Sequence, residues 1–94
     1  MNYRNPKILK AAQHAPCMVC GSTGTTVAAH SNQSIHGKGM GMKAHDCFVA
    51  FLCAKHHSMV DGQIGSLTRE ESREMWASAH DKTILFLLKE GIIA

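Results

Sequence analysis

At 94 residues, with 45% apolar and 18% charged side chains, the chain has the make-up of one small globular domain rather than a disordered segment. Its formal net charge of +3 suits a polyanionic partner without specifying one. No apolar run, neither Cys47 to Ala54 nor Ile84 to Leu88, is long enough to cross a bilayer, which excludes a membrane-spanning helix.

The first twelve residues, MNYRNPKILKAA, are interrupted by charge and lack the apolar core of a signal peptide, so a reducing, cytoplasmic location is expected. Asn5-Pro6 predicts a helix start, with proline at the first helical position and an end before Pro16. Cys17 to Gly24 (CMVCGSTG) reads as a tight turn, and Thr25 to Ala29 as a short strand leading into His30. Ser31 to Lys43 holds three glycines and no helical apolar period, which predicts a loop. Cys47 to Leu52 (CFVAFL) is apolar on both alternating faces, the pattern of a buried strand. A short helix is expected from Ala54 to about Val60, stopping near Gly62. Thr68 and Glu71 have the capping-box spacing and predict the start of a long helix. Its apolar stripe takes in Met75, Trp76, Ala79, Ile84, Leu87 and Leu88, and Gly91 suits its stop.

In a reducing compartment, closely spaced cysteines bind metal more often than they form disulfides. Cys17-x-x-Cys20 lies in a glycine-bearing turn, and Cys53-x-x-His56 spans a strand end and a first helical turn. Together they make a Cys3His set for a structural zinc with no open position. His57 is adjacent to His56, and neighbours on a helix diverge by about 100°, so only one faces the zinc. The spacing from Cys53 favours His56. Cys47, in an apolar strand, reads as a buried small hydrophobe.

A second group follows from this orientation. His57 and Asp61 are one helical turn apart and can share a divalent cation, for which Mg2+ or Mn2+ suits the ligand types. The plain alternative is a surface helix pair. His30, at the strand end, is a candidate general base, or else a hydrogen-bonding cap of the hairpin. Lys38 and Lys43 flank Gly-Met-Gly, a segment that either approaches phosphate or stays a solvated loop. Asn32, Gln33 and His36 are not separated by spacing alone, and His14 and His80 read as structural or surface residues.

The order of CMVC (Cys17 to Cys20), Ala29-His30, GKGMGMK (Gly37 to Lys43) and CAKHHSMVD (Cys53 to Asp61) resembles the HNH, or ββα-metal (His-Me finger), nucleases. It is most similar to small nucleases encoded by phages and prophages, over residues 14 to 62. The resemblance implies a zinc-braced β-hairpin and helix, His30 as general base and His57 as ligand of the catalytic ion. Many members carry Asp or His before the base, where this chain has Ala29. The family's central Asn has no clear counterpart. Asp46 is the nearest polar residue, as its substitute or as a third ligand of the ion, and its plain alternative is a turn residue.

The expectation is therefore a small α+β domain spanning residues 1–94, with N- and C-terminal helices flanking the hairpin. Its expected function is metal-dependent hydrolysis of DNA phosphodiester bonds in the cytoplasm of a bacterial host. Two copies would permit double-strand cleavage. The alternative is a non-catalytic zinc module that binds nucleic acid or protein, favoured by Ala29.

Overall fold

A computed structural model describes residues 2–94; Met1, the first residue of the segment read above for a signal peptide, lies outside the described residues. Helix α1 (Pro6–Ala11) starts where Asn5 caps it, its side chain accepting from the Lys7 N–H at 3.1 Å, and runs on into a 3-10 turn over Ala12–His14. Strands β1 (Val27–His30) and β2 (Val49–Leu52) form an antiparallel pair with Ala29 opposite Ala50 and His30 opposite Val49. Helices α2 (Ala54–Val60) and α3 (Arg69–Lys89) follow. The expected α+β class, a two-stranded hairpin with short helices and a Cys/His cluster, is what the chain adopts.

Every side chain of β2 is buried, because both faces of the strand are covered. Successive strand residues point to opposite faces. Val49 and Phe51 join Ile8, Ala11, Ala12, Ala15 and Leu87 in one apolar cluster, while Ala50 and Leu52 join Ala29, Trp76 and Ala79 in a second. This two-sided burial is why VAFL shows no alternation.

A two-stranded sheet leaves backbone groups in need of partners, and α3 supplies several of them. Thr83 Oγ1 accepts from the Phe51 N–H at 2.9 Å while donating to Ala79 O at 2.8 Å. His80 Nδ1 bonds Val49 O at 2.8 Å, and Trp76 Nε1 donates to Ala29 O at 2.9 Å. Met18 N–H donates to Phe51 O at 2.9 Å from the other flank. Positions 76, 80 and 83 lie on one helical face, so a single stripe of α3 packs the core and satisfies the sheet.

Several boundaries differ from expectation. β2 begins at Val49 rather than Cys47, because Phe48 N–H donates to His45 O at 2.9 Å and closes a turn there. Cys47 is consequently only half-buried and stands outside the strand. β1 starts at Val27 and includes His30. The expected loop contains a 3-10 turn, Ser34–His36, and a small bridge between Gly39 and Met42. Gly37 is required there: its φ is +93°, and a Cβ would lie 2.7 Å from the His45 ring. The capping box of α3 forms as expected, with Thr68 N–H donating to Glu71 Oε1 at 2.9 Å and Glu71 N–H to Thr68 Oγ1 at 3.1 Å. Of the expected stripe, Trp76, Ala79 and Leu87 are buried, Met75 and Ile84 partly so, and Leu88 is exposed. No helix among the described residues is long and apolar enough to cross a membrane.

Candidate metal centre and adjoining polar site

The tight turn after α1 is closed by Cys17 N–H donating to Ser22 O and Gly21 N–H to Cys17 O, both at 2.8 Å. Gly21 takes the left-handed conformation, φ +78°, that such a turn needs. The thiols of Cys17 and Cys20 thereby face the start of α2, where Cys53 is the N-cap and His56 falls in the first turn. The four donor atoms all lie within 4.8 Å of one another. Cys20 Sγ is 3.9 Å from Cys53 Sγ, and His56 Nδ1 is 3.7 Å from Cys17 Sγ and 3.3 Å from Cys53 Sγ. A tetrahedral zinc with ordinary bond lengths sets its ligands about 3.8 Å (S to S) and about 3.6 Å (S to N) apart. The cluster fits that ion, and the cysteines are free thiols rather than disulfides.

Electrostatics favour a thiolate at Cys53. Burial raises its pKa, but donors at His56 (backbone and ring), Ser22 and Cys17 outweigh burial and hold it at about 6. A thiolate is the form that binds metal.

The second site divides into two pairs. His30, at the end of β1, lies 2.9 Å through Nε2 from Oδ1 of Asp46. Asp46 is buried, with 2% of its side chain exposed, and is held by the N-terminal segment. Asn5 N–H donates to its Oδ2 at 2.7 Å, and Arg4 Nη1 approaches Oδ1 at 3.1 Å. Burial alone would raise the Asp46 pKa, yet the His30 and Asn5 hydrogen bonds and the nearby positive charge bring it below the ordinary carboxylate value. An ionised carboxylate only accepts, so the His30 nitrogen facing it must carry the proton. That leaves Nδ1 of a neutral His30 with the lone pair.

His57 Nε2 and Asp61 Oδ2 form the other pair at 3.2 Å, partly open to solvent. Two neighbouring ligands of an octahedral ion at about 2.1 Å would stand about 3 Å apart, so the pair has a suitable bite. Asp46 does not join it. Among the described residues, the Cys3His cluster is the only set of three or more such donors within 4.8 Å of one another. The Asp46 carboxylate is taken up by Arg4, Asn5 and His30 instead.

The loop after β1 packs by its own ring stack. His36 Nδ1 lies 2.6 Å from Ser31 Oγ, and its ring stacks on Phe48 at 4.3 Å and lies 5.6 Å from Trp76. His80 also stacks on Trp76, at 4.9 Å. Burial, then repulsion from His80, lowers the His36 pKa. Lys38 and Lys43 are both exposed, and Lys38 lines a cleft of which Lys43 is not part. His14 is exposed.

The residues missed by sequence reading are Arg4 and Asn5 around Asp46, and Arg69 and Arg73 on α3. The first two lie some forty positions from their partner, a distance no local motif encodes. The arginines are four apart and so share a helix face, which was a legible signal.

A family model described as "Protein of unknown function (DUF968)" matches residues 1–85. No curated protein matches the chain. Among solved structures, a protein attributed to a bacteriophage, from Escherichia coli str. K-12 substr. MG1655, is similar in fold, with a TM-score of 0.67 at 24% identity. The match covers 89% of this chain and 99% of that one.

Proposed function

The chain belongs to the DUF968 family, and on that footing we propose that it is a phage- or prophage-encoded endonuclease hydrolysing DNA phosphodiester bonds with a divalent ion. The observation that carries this reading is the hydrogen bond of His30 Nε2 to the buried, ionised Asp46 at 2.9 Å. An imidazole held in that way turns Nδ1 away from the carboxylate, as the proton acceptor of the neutral ring. The resemblance of the sequence to the HNH nucleases supports the nuclease part of this reading, and the fold shared with the bacteriophage-attributed protein supports only its phage origin.

In this reading His30 Nδ1 takes a proton from water as its oxygen attacks phosphorus and one ester P–O bond breaks. The leaving oxygen departs with the bonding pair and is then protonated. Asp46 holds the ring and stabilises the imidazolium that forms, the part played by a carboxylate behind a catalytic histidine. Asp46 is thus a positioning residue, not a ligand of the ion. His57 and Asp61 would hold Mg2+ or Mn2+, which supplies Lewis-acid stabilisation of the charged phosphorane. A structural zinc on Cys17, Cys20, Cys53 and His56 would fix the first turn of α2 and so the direction of His57.

Supercoiled plasmid, nicked in Mg2+ or Mn2+, tests the reading beside His30→Ala and His57→Ala. Nicking that survives unchanged in His30→Ala refutes the general-base role. A non-catalytic zinc module is the second reading, favoured by Ala29: it is buried and apolar where many related nucleases carry a ligand. It prevails if no form of the protein cuts while DNA binding is intact.

A further inference from the structure

Two clefts adjoin on the face where the loop after β1 meets the start of α3. One, of about 400 Å3, is lined by Asn32, Gln33, Asp61, Arg69 and Arg73 among others. The next, of about 590 Å3, shares Asn32, Gln33 and Arg73 and adds Lys38. The shared residues make them one trough, with Arg73 at its centre, Arg69 on one side and Lys38 on the other.

The three cations are exposed, and none forms an ion pair among the described residues. Arg69 and Arg73 lie on one face of α3, with a rise of about 6 Å between them. No acid of the same helix is ion-paired with them among the described residues. Glu70 lies about 100° round from Arg69 and about 60° from Arg73, Glu74 about 100° from Arg73, and Glu71 is engaged by the Thr68 N–H. Asn32 and Gln33 add uncharged amide groups that hydrogen-bond to phosphate and sugar oxygens. Trp76 also borders the trough, but it is buried, bonded to Ala29 O and stacked on His80, so it offers no platform for a base.

We propose that this trough is the track of the DNA backbone, with Arg73 the central phosphate contact and Arg69 and Lys38 flanking it; the identity of the polymer rests on the nuclease reading above. The chemistry is cationic and amide donors with no free aromatic face. It reads the backbone rather than the bases, so affinity is salt-dependent and tolerant of sequence. The track leads to the proposed catalytic groups. Asn32 and Gln33 follow His30 along the chain, and Asp61 lines the trough while pairing with His57. Asp61 alone would repel phosphate; an ion shared with His57 reverses the sign of that wall.

The test is a salt titration of binding to a short duplex without added divalent ion, using the full chain. Each neutralised phosphate contributes a slope of about 0.9 in log K against log salt, so Arg69→Gln/Arg73→Gln should flatten the slope by about 1.8. Between 50 and 200 mM salt, the wild type then weakens about tenfold more than the variant. The control is Lys82→Gln/Lys89→Gln, an equal charge loss on the same helix about 14 and 24 Å from Arg73. A flattened slope in the arginine variant with the control unchanged supports the track. An unaltered slope, an equal fall in both variants, or no binding by the wild type overturns it. Plasmid nicking separates the two claims. If the slope changes as expected but plasmid stays intact in Mg2+ and Mn2+, the track stands and the nuclease reading fails. If the wild type cuts and the arginine variant keeps both slope and cutting, the track fails alone.

Discussion

Asp46→Ala probes the buried polar network most directly. The carboxylate, 2% exposed, accepts from Asn5 N–H at 2.7 Å and Arg4 at 3.1 Å, and lies 2.9 Å from His30 Nε2. Arg4 is 42% exposed, so solvent screens it and its share is at most about 1 kcal/mol. The larger cost comes from stranding the Asn5 N–H and the His30 N–H, each worth about 1–3 kcal/mol when buried without a partner. We expect Asp46→Ala to lose about 3 kcal/mol, a fall in Tm of about 12–24 °C for a domain of this size, and Arg4→Ala about 1 kcal/mol or less. The acid dependence follows from the same contacts. The folded pKa of Asp46 is lowered, so its contribution is fully present above the unfolded value, 3.8, and is lost as pH falls through the folded one. Urea unfolding at fixed zinc, at pH 7 and again below pH 4, measures both effects, and the gap between wild type and Asp46→Ala should narrow in acid. A loss under 1 kcal/mol at pH 7, or a gap independent of pH, would refute this account of the network.

Metal analysis of the purified protein should find about one zinc per chain, falling well below that in Cys53→Ser, with a strong chelator unfolding the wild type. Thr83→Val keeps the shape of a fully buried side chain but strands the Phe51 N–H; a loss of about 1–3 kcal/mol is expected in denaturant unfolding. The pKa of His36 is lowered in the fold, so its neutral form is favoured there and stability should decline as pH drops from 6.5 through the folded value. His36→Phe keeps a stacking ring but cannot titrate; an unchanged pH slope over that window would show that His36 is not the group responsible.

The sequence by itself determined the features with short-range chemistry. Cys17-x-x-Cys20 and Cys53-x-x-His56 announce a metal cluster because each pair is preset by one turn, and their donors do converge. The box of Thr68 and Glu71 and the doubly apolar VAFL strand are similarly local, since caps and periodicity are written within a few residues. Tertiary structure alone decided what Asp46 does. From the sequence it was a ligand beside His57, a substitute for a missing Asn, or a turn residue. Folding brings Asn5 and Arg4 onto it from the other end of the chain and gives its remaining strength to His30. The start of β2 at Val49 and the trough at Arg73 were settled in the same way, by contacts between segments far apart in sequence. Metal pairs and caps are enforced by bonds across three or four residues, whereas the surroundings of a buried carboxylate depend on which distant donors the packed core brings within about 3 Å.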